Sequence, residues 1–231
     1  LEITFYPLIS IAMFGLFAKF FGANFSIMSF LFSGVIGWNI IQISQHAIGR
    51  GFLIEVWESS LKQTFTTPIT LRHFVLGHWI YGILAATIGF FVSATAAYVF
   101  FNFNLFALGI YIPVIILLGV LSGLVIGILS LAVVLVLGLK VDIIVWMIVE
   151  VIIFFSGVYY SVTIFPTYIQ AISKFFPAIY MFDSTRAILN GVNPNPILLR
   201  GFLVSFVWLI ISLASVNKID QYAKKIGFYQ R

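Results

Sequence analysis

The side chains best suited to chemistry in this sequence are three histidines, and their spacing does not predict a metal site. His46, His73 and His78 include no i,i+4 pair, and no cluster of carboxylates accompanies them, whereas zinc sites repeat their ligands at short, fixed spacings. We interpret the histidines as interfacial or packing residues. The chain has no cysteine, which excludes thiol catalysis, disulfides and cysteine metal ligands.

No catalytic motif is present in the sequence. A phosphate-binding G-x-x-x-x-G-K-[ST] motif is absent, so any ATP chemistry would belong to a partner chain. No nucleophile stands beside a base and an orienting acid in a recognisable motif. The sequence therefore predicts no intrinsic catalytic site, no metal and no cofactor in this chain.

Glu150 is the most demanding single residue, because it lies inside an otherwise apolar run. Ionisation of a carboxyl group at the centre of a bilayer costs on the order of 2.5 kcal/mol or more, so this side chain should face protein or a cavity. One interpretation is a contact in a translocation path, and the other is a neutral, hydrogen-bonded glutamate that braces two helices. Asn39, Gln42 and Gln45, at three-residue spacing, either line a polar stripe toward the same path or form interhelical hydrogen bonds.

One interval is rich in charge although the chain as a whole is poor in it. Only 8% of the residues are charged, and five of them lie between Gly49 and Arg72. They are Arg50, Glu55, Glu58, Lys62 and Arg72. Apolar residues recur every four positions in the same interval, at Leu53, Trp57, Leu61 and Phe65. This pattern predicts an amphipathic helix over 52–67 with a favourable i,i+4 pair of Glu58 and Lys62, ended by Pro68.

The apolar runs around these residues predict membrane-spanning helices. The composition is 62% hydrophobic, against roughly 45–50% in an ordinary soluble domain. Runs long enough to cross a hydrocarbon core of about 30 Å cover 3–21, 25–48, 74–101, 105–139, 143–165 and 197–216. We therefore predict a single all-α membrane domain over 1–231 with six transmembrane helices. The fourth run is too long for one straight span, so tilt, a break near Pro113 or extension beyond the bilayer must absorb the excess.

The basic residues give the orientation of these spans. With six spans, eight lie on the side of the termini: Arg50, Lys62, Arg72, Lys140, Lys218, Lys224, Lys225 and Arg231. Four lie opposite: Lys19, Lys174, Arg186 and Arg200. The positive-inside rule then predicts cytoplasmic termini in a plasma-membrane protein, with the 52–67 helix in the cytoplasm. The basic residues are scattered singly between spans, so we expect no nucleic-acid partner.

Small residues mark where helices should approach one another closely. Gly119, Gly123 and Gly127 form a small-xxx-small stripe in the fourth run. We favour packing within one bundle over a dedicated dimer seam.

The segment before the last span is interrupted in a way that predicts a re-entrant hairpin. From Phe154 it reads FFSGVYYSVTIFPTYIQAISKFFPAIYMFDSTRAILNGV. Gly157, Pro166 and Pro177 break the apolar run, and an amphipathic stretch follows in which Asp183 and Arg186 form an i,i+3 pair. We interpret that pair as a brace of the hairpin rather than a substrate contact. Such a hairpin is tolerated inside a membrane only where protein covers its backbone.

This segment and the cytoplasmic stretch EVWESSLKQTFTTPITLRHFVLGH resemble permeases of ABC-2 type ATP-binding-cassette exporters, over essentially the whole chain. The resemblance implies that the helix after the second span, here Glu55, Trp57, Glu58 and Lys62 with Pro68 at its end, couples to a groove of a separate P-loop ATPase. It implies that 166–191 closes the outer mouth, and that two permeases, identical or homologous, form the path.

ATP and Mg²⁺ would then lie on the ATPase subunit, and the substrate would be a drug, a lipid, a polysaccharide or a similar compound. The family also has an amphipathic helix before the first span. Since the chain begins at Leu1 rather than at a methionine, we expect that helix to have been trimmed away. The alternative function is an ATP-independent secondary transporter or channel, for which paired intramembrane charges and discontinuous helices are expected.

Overall fold

The computed structural model describes residues 2–66, 68–137 and 142–225, and these form an all-α fold without a strand. The helices are α1 (Glu2–Phe20), α2 (Phe25–Trp57), α3 (Leu61–Thr66), α4 (Leu71–Phe101), α5 (Ile112–Leu137), α6 (Asp142–Ser156), α7 (Thr167–Ser173), α8 (Pro177–Leu189) and α9 (Asn195–Lys225). Two short 3₁₀ segments, Leu105–Tyr111 and Val162–Ile164, precede α5 and α7.

Five helical segments of the described chain are long and apolar enough to cross a bilayer: Ile3–Phe20, Phe25–Trp57, Leu71–Phe101, Leu105–Val136 and Asn195–Lys225. This number of apolar helices indicates a multi-pass membrane protein. The long fourth run begins with a 3₁₀ segment in which Gly109 has a φ of 53°. The chain therefore bends just ahead of Pro113.

The fifth predicted run, 143–165, does not form a helix of the predicted length. Helix α6 has 15 residues and ends at Ser156, so it is about 22 Å long and shorter than a hydrocarbon core of about 30 Å. The residues that follow form a turn, the second 3₁₀ segment and the short helices α7 and α8.

Helix α2 packs against α5 through the glycine stripe of the fourth run. A Cβ atom added to Gly119 would lie 2.8 Å from Cγ2 of Ile40, and one added to Gly123 would lie 2.7 Å from the carbonyl oxygen of Ile41. Neither position has room for a Cβ atom unless a neighbouring group moves, which is the close approach that small residues allow in membrane helix packing. The interpretation of this stripe as a packing surface within one bundle is confirmed.

Polar side chains join the helices at two further points. Asn39 of α2 donates from Nδ2 to Oγ of Ser10 in α1 over 3.0 Å. Gln45 of α2 donates from Nε2 to Oγ of Ser130 in α5 over 3.3 Å. Both bonds lie among apolar helices, where hydrogen bonds between side chains fix the mutual register of neighbouring helices.

Candidate functional site

A cavity of about 1130 Å³ opens between α1, α2 and α4. Its volume is slightly larger than the range of small-molecule sites, which is roughly 300–1000 Å³. Its polar lining residues are Tyr6, Gln42, His46, Arg50, Glu55, Thr64, His73, His78, Tyr81 and Glu150. The cavity therefore brings together all three histidines, although they are distant in sequence.

Two helices supply most of this polar lining at helical spacing. Gln42, His46 and Arg50 recur every four residues and form one line along α2. On α4 the His78 ring lies over the Phe74 ring, with 4.1 Å between their centroids. A Cβ added to Gly77 of α4 would meet no atom within 4 Å, so this part of the wall is open. The histidines thus line the cavity, and His78 also packs on a neighbouring ring.

The side chain of Glu150 lies outside the apolar core, as the cost of burying its charge predicts. Its side chain is exposed and lines the cavity rather than an apolar core. Gln42 lines the same cavity, so two of the three predicted path residues come together there. The third, Asn39, is only 1% exposed and is engaged with Ser10. For Asn39 the structure therefore agrees with interhelical hydrogen bonding. Among the described residues no group of three or more His, Asp and Glu side chains is arranged to hold a metal ion.

The segment predicted as one amphipathic helix over 52–67 is divided into two parts. Helix α2 continues to Trp57, and α3 begins only at Leu61. Ser59 lies between them with a φ of 55°, a left-handed conformation that interrupts a helix. The prediction of a single helix is wrong: the chain turns at Ser59, and Leu61 after the turn packs in the same apolar cluster as Leu53.

Glu55 fixes this turn. Its carboxylate oxygen Oε2 accepts a hydrogen bond of 2.6 Å from Oγ of Ser60 and one of 2.9 Å from Oγ1 of Thr64. Hydrogen bonds to an ionised acceptor are among the stronger ones. They tie α3 to the end of α2.

The surface of this junction combines an aromatic ring with charges. Trp57 is 53% exposed, and Glu58, Lys62 and Pro68 are also exposed. Trp and charged side chains that remain exposed at a rigid helix end are typical of a contact surface for another protein.

A second site lies where α6 ends. Gly157 follows Ser156 with a φ of 68°, which glycine adopts without steric cost. The chain then runs to Pro166, which precedes α7, and to Pro177, which is the first residue of α8. The three residues thus lie at breaks between short helices, as the sequence predicts.

The end of α6 lies inside the bundle rather than at its surface. The carbonyl oxygen of Val158 contacts Gly34, where an added Cβ atom would clash with it. Gly34 is nine residues into α2, or about 13 Å from the start of that helix. The Tyr159 ring stacks on Phe14 of α1 with 5.1 Å between centroids. Non-helical backbone at such a depth requires hydrogen-bond partners from the protein.

Arg186 provides those partners. From α8 it donates from Nη1 to the carbonyl oxygen of Gly157 over 2.9 Å and from Nη2 to that of Val158 over 2.8 Å. Its guanidinium carbon lies 3.5 Å from the centroid of the Phe30 ring in α2, which is cation–π geometry. An arginine guanidinium is not deprotonated in proteins, so Arg186 is charged at neutral pH.

The predicted brace between Asp183 and Arg186 is therefore not the main contact. Asp183 is exposed, whereas Arg186 is buried with only 9% of its surface accessible. Sequence reasoning missed the carbonyl partners because backbone atoms carry no sequence signal. The available signal was a lone arginine downstream of a Ser156-Gly157 helix break.

No family model and no curated protein matches this sequence.

Proposed function

We propose that this chain is the membrane-spanning permease subunit of an ATP-driven exporter of the ABC-2 type. The observation that carries the proposal is the α2–α3 junction. Glu55 ties α3 to a helix that runs from the end of the bundle past the cavity, and Trp57, Glu58 and Lys62 are exposed at its tip. A push on this tip by a partner would be transmitted along α2, because α2 is continuous from Phe25 to Trp57.

In this proposal the tip docks on a separate P-loop ATPase that binds ATP and Mg²⁺. Two permeases, identical or homologous, stand side by side in the plasma membrane. The segment after α6 completes a sixth crossing together with α7 and α8, and both termini are cytoplasmic. Gln42 and Glu150 lie on the substrate's route, and 166–191 closes its outer end. Binding energy of ATP would shift the equilibrium between closed and open forms.

One observation favours the alternative of an ATP-independent transporter. Secondary transporters place substrate ions at the carbonyl ends of broken helices, and α6 ends inside the bundle with its carbonyl groups turned to a cation. That cation is the chain's own Arg186, however, which already donates to the carbonyl groups of Gly157 and Val158. The position that a transported cation would take is therefore filled, which favours the ATP-driven exporter.

The test is made on the complex purified from its native membrane and reconstituted in nanodiscs. If a P-loop ATPase docks on the tip, Trp57→Ala and Glu58→Lys should each reduce its co-purification and substrate-stimulated ATP hydrolysis by about tenfold, since aromatic and charged anchors carry most interface energy. Tyr222→Ala is the matched control, because Tyr222 is a similarly exposed aromatic residue on α9.

The proposal is wrong if no P-loop ATPase accompanies the chain. It is also wrong if the Trp57 and Glu58 variants retain the association and activity of the Tyr222 control.

A further inference from the structure

A second cavity, of about 540 Å³, lies between the first turns of α4 and the C-terminal part of α9. Arg72 and Leu76 line it from α4, and Val216, Asn217 and Asp220 line it from α9. We call it the α4–α9 cavity. It is distinct from the larger cavity between α1, α2 and α4, to which α9 contributes no lining residue.

The α4–α9 cavity lies where two spans pass from apolar to charged sequence. After Arg72, α4 contains no Asp, Glu, Lys or Arg up to its last residue, Phe101. On α9 no such residue lies between Arg200 and Lys218. Basic side chains at the ends of membrane helices reach the level of the lipid headgroups. The cavity therefore lies at the boundary between the hydrocarbon and the headgroups.

The walls of the α4–α9 cavity follow the same division. Leu71 and Val216 are each only 1% exposed and belong to one apolar cluster, so they separate the cavity from the interior of the bundle. Leu76 lies one turn further into the span than Arg72 and is 47% exposed. A ligand with a polar head and an apolar chain matches a cavity with one charged end and one apolar end.

The charged end of the α4–α9 cavity is positive. Arg72 is exposed, and its guanidinium has no hydrogen-bond or ion-pair partner among the residues that the structure describes. Asp220 is acidic, but its Oδ2 accepts a hydrogen bond of 2.7 Å from Nζ of Lys224, which balances its charge. Lys218 and Lys225 are two more exposed cations on α9. An anionic head is therefore favoured over a cationic one.

A phosphate group suits these side chains better than other anions of a membrane. The planar fork of an arginine matches the oxygens of a phosphate, to which it donates two parallel hydrogen bonds. The side-chain amide of Asn217 supplies another donor in the same cavity. Basic pockets between membrane helices at the headgroup level are typical binding sites for anionic lipids.

We propose that the α4–α9 cavity binds one anionic phospholipid, with its phosphate on Arg72 and Asn217 and an acyl chain along Leu76. This proposal goes beyond the transport function and depends on neither an ATPase nor a transported substrate. It requires only that the chain lies in a bilayer.

The test is native mass spectrometry of the purified chain in detergent, with phosphatidylglycerol or phosphatidylcholine of the same acyl chains added in a titration. The first phosphatidylglycerol molecule should bind more tightly than the first phosphatidylcholine molecule. Arg72→Gln should weaken that binding about tenfold in Kd, because it removes hydrogen bonds of a charged donor. Arg72→Lys should have a smaller effect, since it keeps the charge and loses only the fork.

A matched control separates the cavity from a general loss of positive charge. Arg200→Gln makes the same change at an exposed arginine in the first turns of α9, far along that helix from Asn217. It should leave the Kd of phosphatidylglycerol at the parent value. Inorganic phosphate, added in excess over the lipid, should not displace phosphatidylglycerol, because it has no acyl chain to contact Leu76.

Three results would overturn the proposal. The first is equal binding of phosphatidylglycerol and phosphatidylcholine, and the second is an Arg72→Gln variant that binds phosphatidylglycerol as tightly as the Arg200→Gln control. The third is displacement of the lipid by inorganic phosphate, which would mark a site for a free anion. Because the measurement uses the chain without an ATPase, its failure is distinguishable from failure of the proposed function.

Discussion

A methyl group added at Gly123 should separate α2 from α5. The Cβ atom of Gly123→Ala would lie 2.6 Å from Cβ of Ser44 and 2.7 Å from the carbonyl oxygen of Ile41. Non-bonded carbon atoms prefer separations of about 3.5–4.0 Å. The two helices must therefore move apart by about 1 Å at this point, because neither a backbone carbonyl nor a Cβ atom can rotate away.

The movement has a cost that the structure allows us to estimate. Overpacking of a close contact costs about 1–3 kcal/mol. Separation also stretches the hydrogen bond from Oγ of Ser44 to the carbonyl oxygen of Val120, which is already 3.2 Å long. In the control Gly77→Ala there is no clash, and removal of a helical glycine stabilises by about 0.5–1 kcal/mol. Gly123→Ala gains the same stabilisation, so the clash alone separates the two variants, and we expect them to differ by about 1–3 kcal/mol in free energy of unfolding.

The assay is unfolding by sodium dodecyl sulfate in mixed micelles, followed by tryptophan fluorescence, for the parent and both variants. Gly123→Ala should unfold at lower denaturant than the parent, and Gly77→Ala at the same or higher denaturant. Equal free energies of unfolding for the two variants would refute the close contact between α2 and α5.

Three further predictions follow from individual contacts. Glu150→Gln should change the free energy of unfolding by less than about 0.5 kcal/mol, because the exposed side chain lines a cavity. Loss of substrate-stimulated ATPase activity in the same preparation would mark a functional charge. Retained stimulation would remove Glu150 from the path. Cysteines introduced singly at Ser59 and Lys174, both exposed, should be labelled from the cytoplasm and from outside respectively, and the reverse result would invert the topology. Asn39→Ala should destabilise the bundle by about 0.6 kcal/mol, up to about 1.7 kcal/mol, through loss of the hydrogen bond to Ser10. A thermal-shift series that includes Ser10→Ala and the double variant checks this: if the bond is responsible, the double variant is no less stable than either single variant.

Properties that depend on nearby residues could be predicted from the sequence. The apolar runs predict the helical membrane-protein class because burial of a helix in hydrocarbon depends on its own side chains and length. The glycine stripe of α5 predicts close packing for the same local reason, since the absence of a side chain on one face is visible in the sequence. The cost of its charge alone predicted that Glu150 faces either protein or a cavity; that it lines a cavity was decided by the fold.

The ends of the helices depended on contacts between distant residues. Helix α2 continues to Trp57 because Leu53 and Val56 are buried in one cluster with residues of α4, α5 and α9, and this burial outweighs the local pattern that predicted a new helix at 52. After the turn at Ser59, Leu61 is buried in the same cluster, and Glu55 accepts hydrogen bonds from Ser60 and Thr64 across the turn.

The composition of the candidate site depended on the tertiary structure even more than the helix ends did. The three histidines converge on one cavity only because α2 and α4 run side by side. The partners of Arg186 are the carbonyl groups of Gly157 and Val158, which every residue type possesses. A side chain that pairs with backbone leaves no complementary residue in the sequence, so only the fold could identify its partner.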